Sequence, residues 1–138
     1  MPLPSPSVRL LGIVLVSTVA VAACSSSNDT TAPNASLAGN YTLASFEQVG
    51  VIPALTPPAA TGSLVLTTTR YKVTININIP GSPLAIVDSG TYTATATTLT
   101  QTSDGAFGQS TGTYTLNSTT LVTDLTSIGG RIKSTWQR

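Results

Sequence analysis

Strict alternation of apolar and polar residues is the feature that most constrains how this chain can fold. It is clearest in the stretch RYKVTININIP, which Pro80 ends. The apolar residues of this stretch are Tyr71, Val73, Ile75, Ile77 and Ile79, with Lys72, Thr74, Asn76 and Asn78 between them. A period of two places all the apolar side chains on one face of a β-strand, whereas a helix would scatter them around its circumference. The stretch is therefore predicted to be a strand with its isoleucines facing a core.

Seven further stretches repeat this alternation more weakly. They are residues 40–48, 62–69, 85–96, 98–103, 110–117, 119–125 and 131–137. Turn residues such as Ser103-Asp104-Gly105 and Gly129-Gly130 separate them, and Ser89-Gly90 inside one stretch is interpreted as a bulge. Eight short strands with regular turns predict an all-β barrel or sandwich.

An internal repeat favours the barrel. The segments GTYTATATTL, from Gly90, and GTYTLNSTTL, from Gly112, share Gly-Thr-Tyr-Thr and, after three free positions, Thr-Thr-Leu. The stretch from Gly39 to Thr42 begins in a similar way. Each copy is interpreted as a strand, a tight turn and the start of the next strand. Sequential hairpins close most naturally into a small eight-stranded antiparallel up-and-down barrel, and a β-sandwich is the alternative.

The alternation also predicts which side chains face inward. An eight-stranded barrel is narrow enough for side chains to fill its interior. We expect the following residues to fill most of it: Tyr41, Leu43, Leu64, Leu66, Val73, Ile75, Ile77, Tyr92, Tyr114, Leu116, Leu121, Leu125, Ile132 and Trp136.

The order of blocks over residues 39–138 resembles the small bacterial lipocalin-like lipoproteins. The blocks are GNYTL, the proline-containing VGVIPALTPPAATG, the hairpin GSLVLTTTRYKV, then SGTYTATATTLT, TGTYTLNSTTL and the closing STWQR. The resemblance implies a small closed or nearly closed eight-stranded antiparallel barrel. One departure is Tyr41, which stands where lipocalins proper carry the tryptophan of Gly-x-Trp.

The start of the chain has the parts of a secretory signal peptide. Arg9 precedes an apolar run from Leu10 to Ala23, which is shorter than the roughly 20 residues that span a bilayer as a helix. Residues 1–23 are therefore predicted to be a signal peptide, and residues 24–38, poor in groups to bury, a flexible tether.

The end of that apolar run resembles the lipobox of bacterial lipoproteins. The residues are Val21, Ala22, Ala23 and Cys24, and Cys24 is the only cysteine of the chain. The resemblance implies that Cys24 is lipidated and that the peptide is cut before it, which would hold the protein to a membrane. Ser25 in the next position implies the outer membrane of the cell envelope.

The composition argues against catalysis. The chain has no histidine, which is the commonest general base and metal ligand. A Ser-Lys pair would need Lys72 or Lys133, and both fall on strand faces predicted to be exposed. No catalytic residue, metal or cofactor is therefore assigned.

The acidic residues are interpreted as solvated or turn-stabilising groups. Glu47 and Asp124 lie near predicted strand ends, Asp88 precedes the predicted bulge, and Asp104 belongs to a turn. Lysines and arginines number six against five acidic residues, so clustered positive charge for nucleic acid is missing. Arg131, Lys133 and Arg138 are interpreted as an outward face of the last strand.

Together these features predict a non-enzymatic cell-envelope lipoprotein that binds a small apolar molecule or an envelope partner. The alternative is a structural or adhesion module built as a sandwich without a small-molecule site. A third, carboxylate-dependent hydrolysis, would need two of the acidic residues to face each other. A cavity of a few hundred Å³ lined by apolar groups would favour ligand binding.

Overall fold

The computed structural model describes residues 37–138, which form a single antiparallel sheet. The strands are β1 Gly39–Gln48, β2 Ile52–Leu55, β3 Ala60–Leu66, β4 Arg70–Ile77, β5 Leu84–Ala94, β6 Thr98–Ser103, β7 Gln109–Asn117, β8 Thr120–Ser127 and β9 Gly130–Gln137. From β3 to β9, each strand pairs with the next one along the chain. This is the predicted meander of hairpins.

Pairing of the first and last strands closes the sheet into an eight-stranded barrel. β1 pairs with β3 on one side and with β9 on the other, where the register runs from Thr42 opposite Gln137 to Gln48 opposite Ile132. Closure leaves these eight strands without a free edge. The predicted all-β, eight-stranded antiparallel barrel is confirmed, and the β-sandwich alternative is wrong.

A ninth strand lies outside the predicted set. β2 pairs with the last part of β1, with Phe46 opposite Leu55 and Gln48 opposite Ile52, whereas β3 pairs with the first part. The four residues of β2 include Pro53 and carry no alternation that would mark a strand. Sequence periodicity therefore could not find it.

The predicted bulge at Ser89-Gly90 is wrong. The register between β4 and β5 is unbroken from Arg70 opposite Thr91 to Ile77 opposite Leu84, and that between β5 and β6 is also regular. The irregularities lie in β1 instead, between Leu43 and Ser45 and between Phe46 and Gln48. They bend the strand that closes the barrel.

The barrel has two different ends. At one end β1 begins, β9 ends, and three tight turns lie at residues 67–69, 95–97 and 118–119. Tyr41, Tyr92 and Tyr114 are buried near these turns, and we call this the tyrosine end. At the other end, which we call the open end, lie residues 49–51, 78–83, 104–108 and 128–129.

The predicted inward face is confirmed. Every side chain expected in the interior belongs to the apolar cluster, although Val73, Leu116, Leu125 and Ile132 are only partly buried. Ile79 follows the end of β4 and is exposed. The cluster also contains Leu37, fully buried two residues before β1. The tyrosine end is thereby filled with side chains.

Candidate ligand cavity

Side chains do not fill the whole interior, and a cavity of about 370 Å³ lies inside the barrel. Trp136, Leu121 and Leu99, all buried, line its inner part. Leu84 and Phe107, which are 45% and 51% exposed, line it at the open end. The cavity therefore extends from the core to solvent at the end opposite the start of β1. The side chains expected in the interior therefore form its core, but they leave this cavity among them.

Two walls of different character face each other across the cavity. The wall formed by β3, β4 and β5 is mostly aliphatic: Leu64, Leu66, Val73, Ile75, Leu84, Ala85 and Ile86. The strands β6 to β9 mix apolar side chains with hydroxyl and amide groups, namely Gln101, Ser110, Thr123, Ser127 and Ser134. The cavity therefore suits a ligand with an apolar body and a few polar groups.

Apolar side chains surround the open end. Of the large apolar side chains that are exposed, those at this end are Val49, Val51, Ile79, Leu84, Phe107 and Ile128. Ile128 is 87% exposed and Val51 71%. Gln48, which lines the cavity, donates a hydrogen bond from Nε2 to the carbonyl of Gly129 at 2.9 Å. An apolar ligand entering the cavity would meet this rim first.

Asp88 lies on the cavity wall, contrary to the expectation of a solvated group beside a bulge. Its Oδ2 accepts a hydrogen bond from the hydroxyl of Tyr71 at 2.6 Å, and its Oδ1 accepts one from Ser103 Oγ at 2.5 Å. Burial raises the pKa of Tyr71, and the hydrogen bond to Asp88 raises it further. β5 places Asp88 on the same face as Ile86 and Tyr92, so the period of two was the signal that could have found it.

Most of the other charged side chains lie on the outside, but Arg138, expected on the outward face, lies over the ring of Tyr41 and donates to its hydroxyl at 2.7 Å. Arg70 pairs with Asp104, and Arg131 makes two hydrogen bonds of 2.7 Å to Asp124. The hydrogen bonds from Arg131 lower the pKa of Asp124. Lys72 and Lys133 are exposed, as predicted.

Some predictions fall outside the residues described. The lipobox from Val21 to Cys24, the signal peptide and most of the tether precede residue 37. Between residues 37 and 138 no group of three or more histidine, cysteine, aspartate or glutamate side chains is placed to hold a metal ion. No helix in the same span is both long and apolar enough to cross a bilayer.

Fold and site define a class: a small closed antiparallel β-barrel with one extra strand and an interior cavity open at one end. Comparison with family models, with curated proteins and with solved structures finds no match.

Proposed function

We propose that this chain is a bacterial cell-envelope lipoprotein whose barrel binds a small apolar ligand and performs no catalysis. The observation that supports it is the cavity of about 370 Å³, with its largely aliphatic wall and its opening to solvent. Ligand sites are commonly concave and apolar with a few placed polar groups, and their volumes start at roughly 300 Å³. The alternative, a structural module without a small-molecule site, would not require such a cavity.

The position of the opening fits a tethered binding protein. The described chain begins at the tyrosine end, where Leu37 is buried and β1 starts. In our proposal Cys24 is lipidated and lies in the outer membrane, upstream of Leu37. The open end is then the end of the barrel farther from the attachment of the tether, so the tether does not obstruct the cavity.

A filled cavity tests the proposal. Ser110 lines the cavity from β7, and its neighbour Gln109 is exposed on the outer face of the same strand. We expect Ser110→Phe to reduce binding of the neutral fluorescent probe N-phenyl-1-naphthylamine at least tenfold, because the new ring occupies the cavity. The matched variant Gln109→Phe adds the same ring outside and should bind the probe as the unmodified protein does.

Binding is measured by probe fluorescence and by the emission of Trp136, the single tryptophan of the chain, which lines the cavity. Circular dichroism shows whether both variants keep the β-spectrum. Equal binding by a folded Ser110→Phe variant and the unmodified protein would contradict ligand binding in this cavity.

A further inference from the structure

Asp88 gives the cavity a formal charge that its other lining residues do not balance. The lining contains no lysine, arginine or second acidic residue. Arg70 and Arg131, on β4 and β9, point outward and pair with Asp104 and Asp124. A ligand in the cavity therefore meets one carboxylate and no basic side chain.

The carboxylate is held in one orientation. Tyr71 fixes Oδ2 from β4 and Ser103 fixes Oδ1 from β6, so the two strands beside β5 hold it from both sides. A carboxylate has about four lone-pair sites, and these two hydrogen bonds use two of them. Acceptor capacity for a further donor remains on the cavity wall.

The surroundings of Asp88 determine whether a cationic or an anionic ligand group is favoured beside it. On the cavity side, Val73 lies opposite Asp88 in the register and Ile86 precedes it on the same face, so this side is largely aliphatic. On its outer side Asp88 borders a second pocket with Lys72 and Asp104, whose charges are opposite. Electrostatic interactions are stronger on the cavity side than in bulk water because the local dielectric constant is lower. A cationic group is attracted to Asp88, and an anionic group is repelled.

We propose that the cavity selects apolar ligands that carry a protonated amine and rejects those that carry a carboxylate, with Asp88 as the residue that decides. The amine donates to Asp88 while its hydrocarbon chain lies against the aliphatic wall of β3, β4 and β5. This inference rests on the proposed ligand-binding function and specifies the ligand class.

The experiment compares three ligands with the same chain and different head groups: decylamine, decanol and decanoate, at pH 7 and below their micellar concentrations. Each displaces N-phenyl-1-naphthylamine from the purified protein. A hydrogen bond between charged groups changes affinity by roughly ten- to a hundredfold. We therefore expect decylamine to bind at least tenfold more tightly than decanoate.

Asp88→Asn removes the charge and keeps the shape of the side chain. Its amide oxygen still accepts from Tyr71, and the hydroxyl of Ser103 rotates to accept from the amide nitrogen. In this variant the ratio of the decylamine and decanoate affinities should fall at least tenfold. Decanol should bind within about twofold of its original affinity, because it reports the apolar contacts. Asp124→Asn, on the outside of the barrel, is the matched control and should leave the ratio unchanged.

A second variant covers the case in which Asp88→Asn fails to fold. Tyr71→Phe keeps the carboxylate and removes one of its donors, so the preference for decylamine should persist. Equal affinities for decylamine and decanoate in the unmodified protein, or a ratio unchanged in Asp88→Asn, would overturn the inference. If none of the three ligands binds, the proposed function itself fails.

Discussion

At the residue scale, the glycines of the repeat mark places where strand backbones come unusually close. A Cβ atom on Gly112 would overlap the carbonyl oxygen of Asp124 on β8, and one on Gly90 would overlap that of Thr102 on β6. A Cβ atom on Gly62 would likewise overlap the carbonyl oxygen of Thr74 on β4. Only glycine permits so close an approach within a paired strand.

This close approach predicts the effect of a single methyl group. Gly112→Ala should lower the free energy of unfolding by about 1–3 kcal/mol, because the strands must separate to admit the Cβ. Gly105→Ala is the control: its Cβ would lie 3.6 Å from Ser103 Oγ, an ordinary contact in an exposed turn. Urea unfolding followed by Trp136 emission measures both, and equal midpoints would contradict the prediction.

At the element scale, the tyrosine of each Gly-Thr-Tyr-Thr copy forms hydrogen bonds from its strand to the turn of the preceding hairpin. Tyr92 N donates to Thr69 O at 2.9 Å and its hydroxyl to Thr67 O at 2.5 Å. Tyr114 makes the equivalent bonds to Thr97 O and Thr95 O, at 3.0 and 2.6 Å. The sequence repeat therefore corresponds to a contact between neighbouring hairpins that occurs twice, and also to a strand that occurs twice.

These tyrosines make the barrel sensitive to alkali. Burial raises the pKa of Tyr92 to about 12 and also raises that of Tyr114. An unfolded tyrosine ionises near pH 10, so the unfolded chain releases its protons first as the pH rises. The contribution of these tyrosines to the free energy of unfolding should be constant from pH 8 to about pH 10 and should fall as the pH rises from there through 12.

Urea midpoints between pH 8 and pH 12, with tyrosinate absorbance recorded in parallel, measure this loss. Tyr92→Phe should reduce the slope. It should also cost about 1 kcal/mol at pH 8, because the Thr67 carbonyl loses a donor. Midpoints that stay constant up to pH 12 would contradict the assignment of the pKa rise to the folded state.

At the scale of the whole molecule, closure and incomplete filling act together. The β1–β9 pairing closes the eight-stranded barrel, and the core extends from the tyrosine end to Phe46 and Ile77 near the open end. Within this closed barrel, the space that the core leaves forms the cavity. Leu37, the first described residue, and the opening of the cavity lie at opposite ends of the barrel.

The anchor is tested on the full chain in its own host. Cys24→Ala removes the thiol that lipidation needs, so the precursor should keep its leader and take up no labelled fatty acid. Stable anchoring takes two or more acyl chains. Any protein that is cleaved but not acylated should therefore appear in the soluble fraction. Ser25→Ala keeps the cysteine and should be processed normally. Normal processing of Cys24→Ala, without change in membrane association, would contradict lipidation.

Local periodicity predicted the strands and their faces, because alternation depends only on residues two apart. Ile75 and Ile77 face inward for that reason, and Asp88 shares the inward face of β5. Periodicity could not find β2, whose pairing with Phe46 depends on the shape of β1. It also could not find Leu37, which is fully buried although it precedes β1 and belongs to no alternating stretch.

The sequence by itself determined an all-β chain of eight alternating strands and the meander that favours a barrel, because these depend on local pattern and hairpin connection. Only the tertiary structure decided that a cavity remains inside the barrel, where it opens and what surrounds Asp88. These properties depend on the volumes and polar groups of side chains far apart in the sequence, brought together when β1 meets β9.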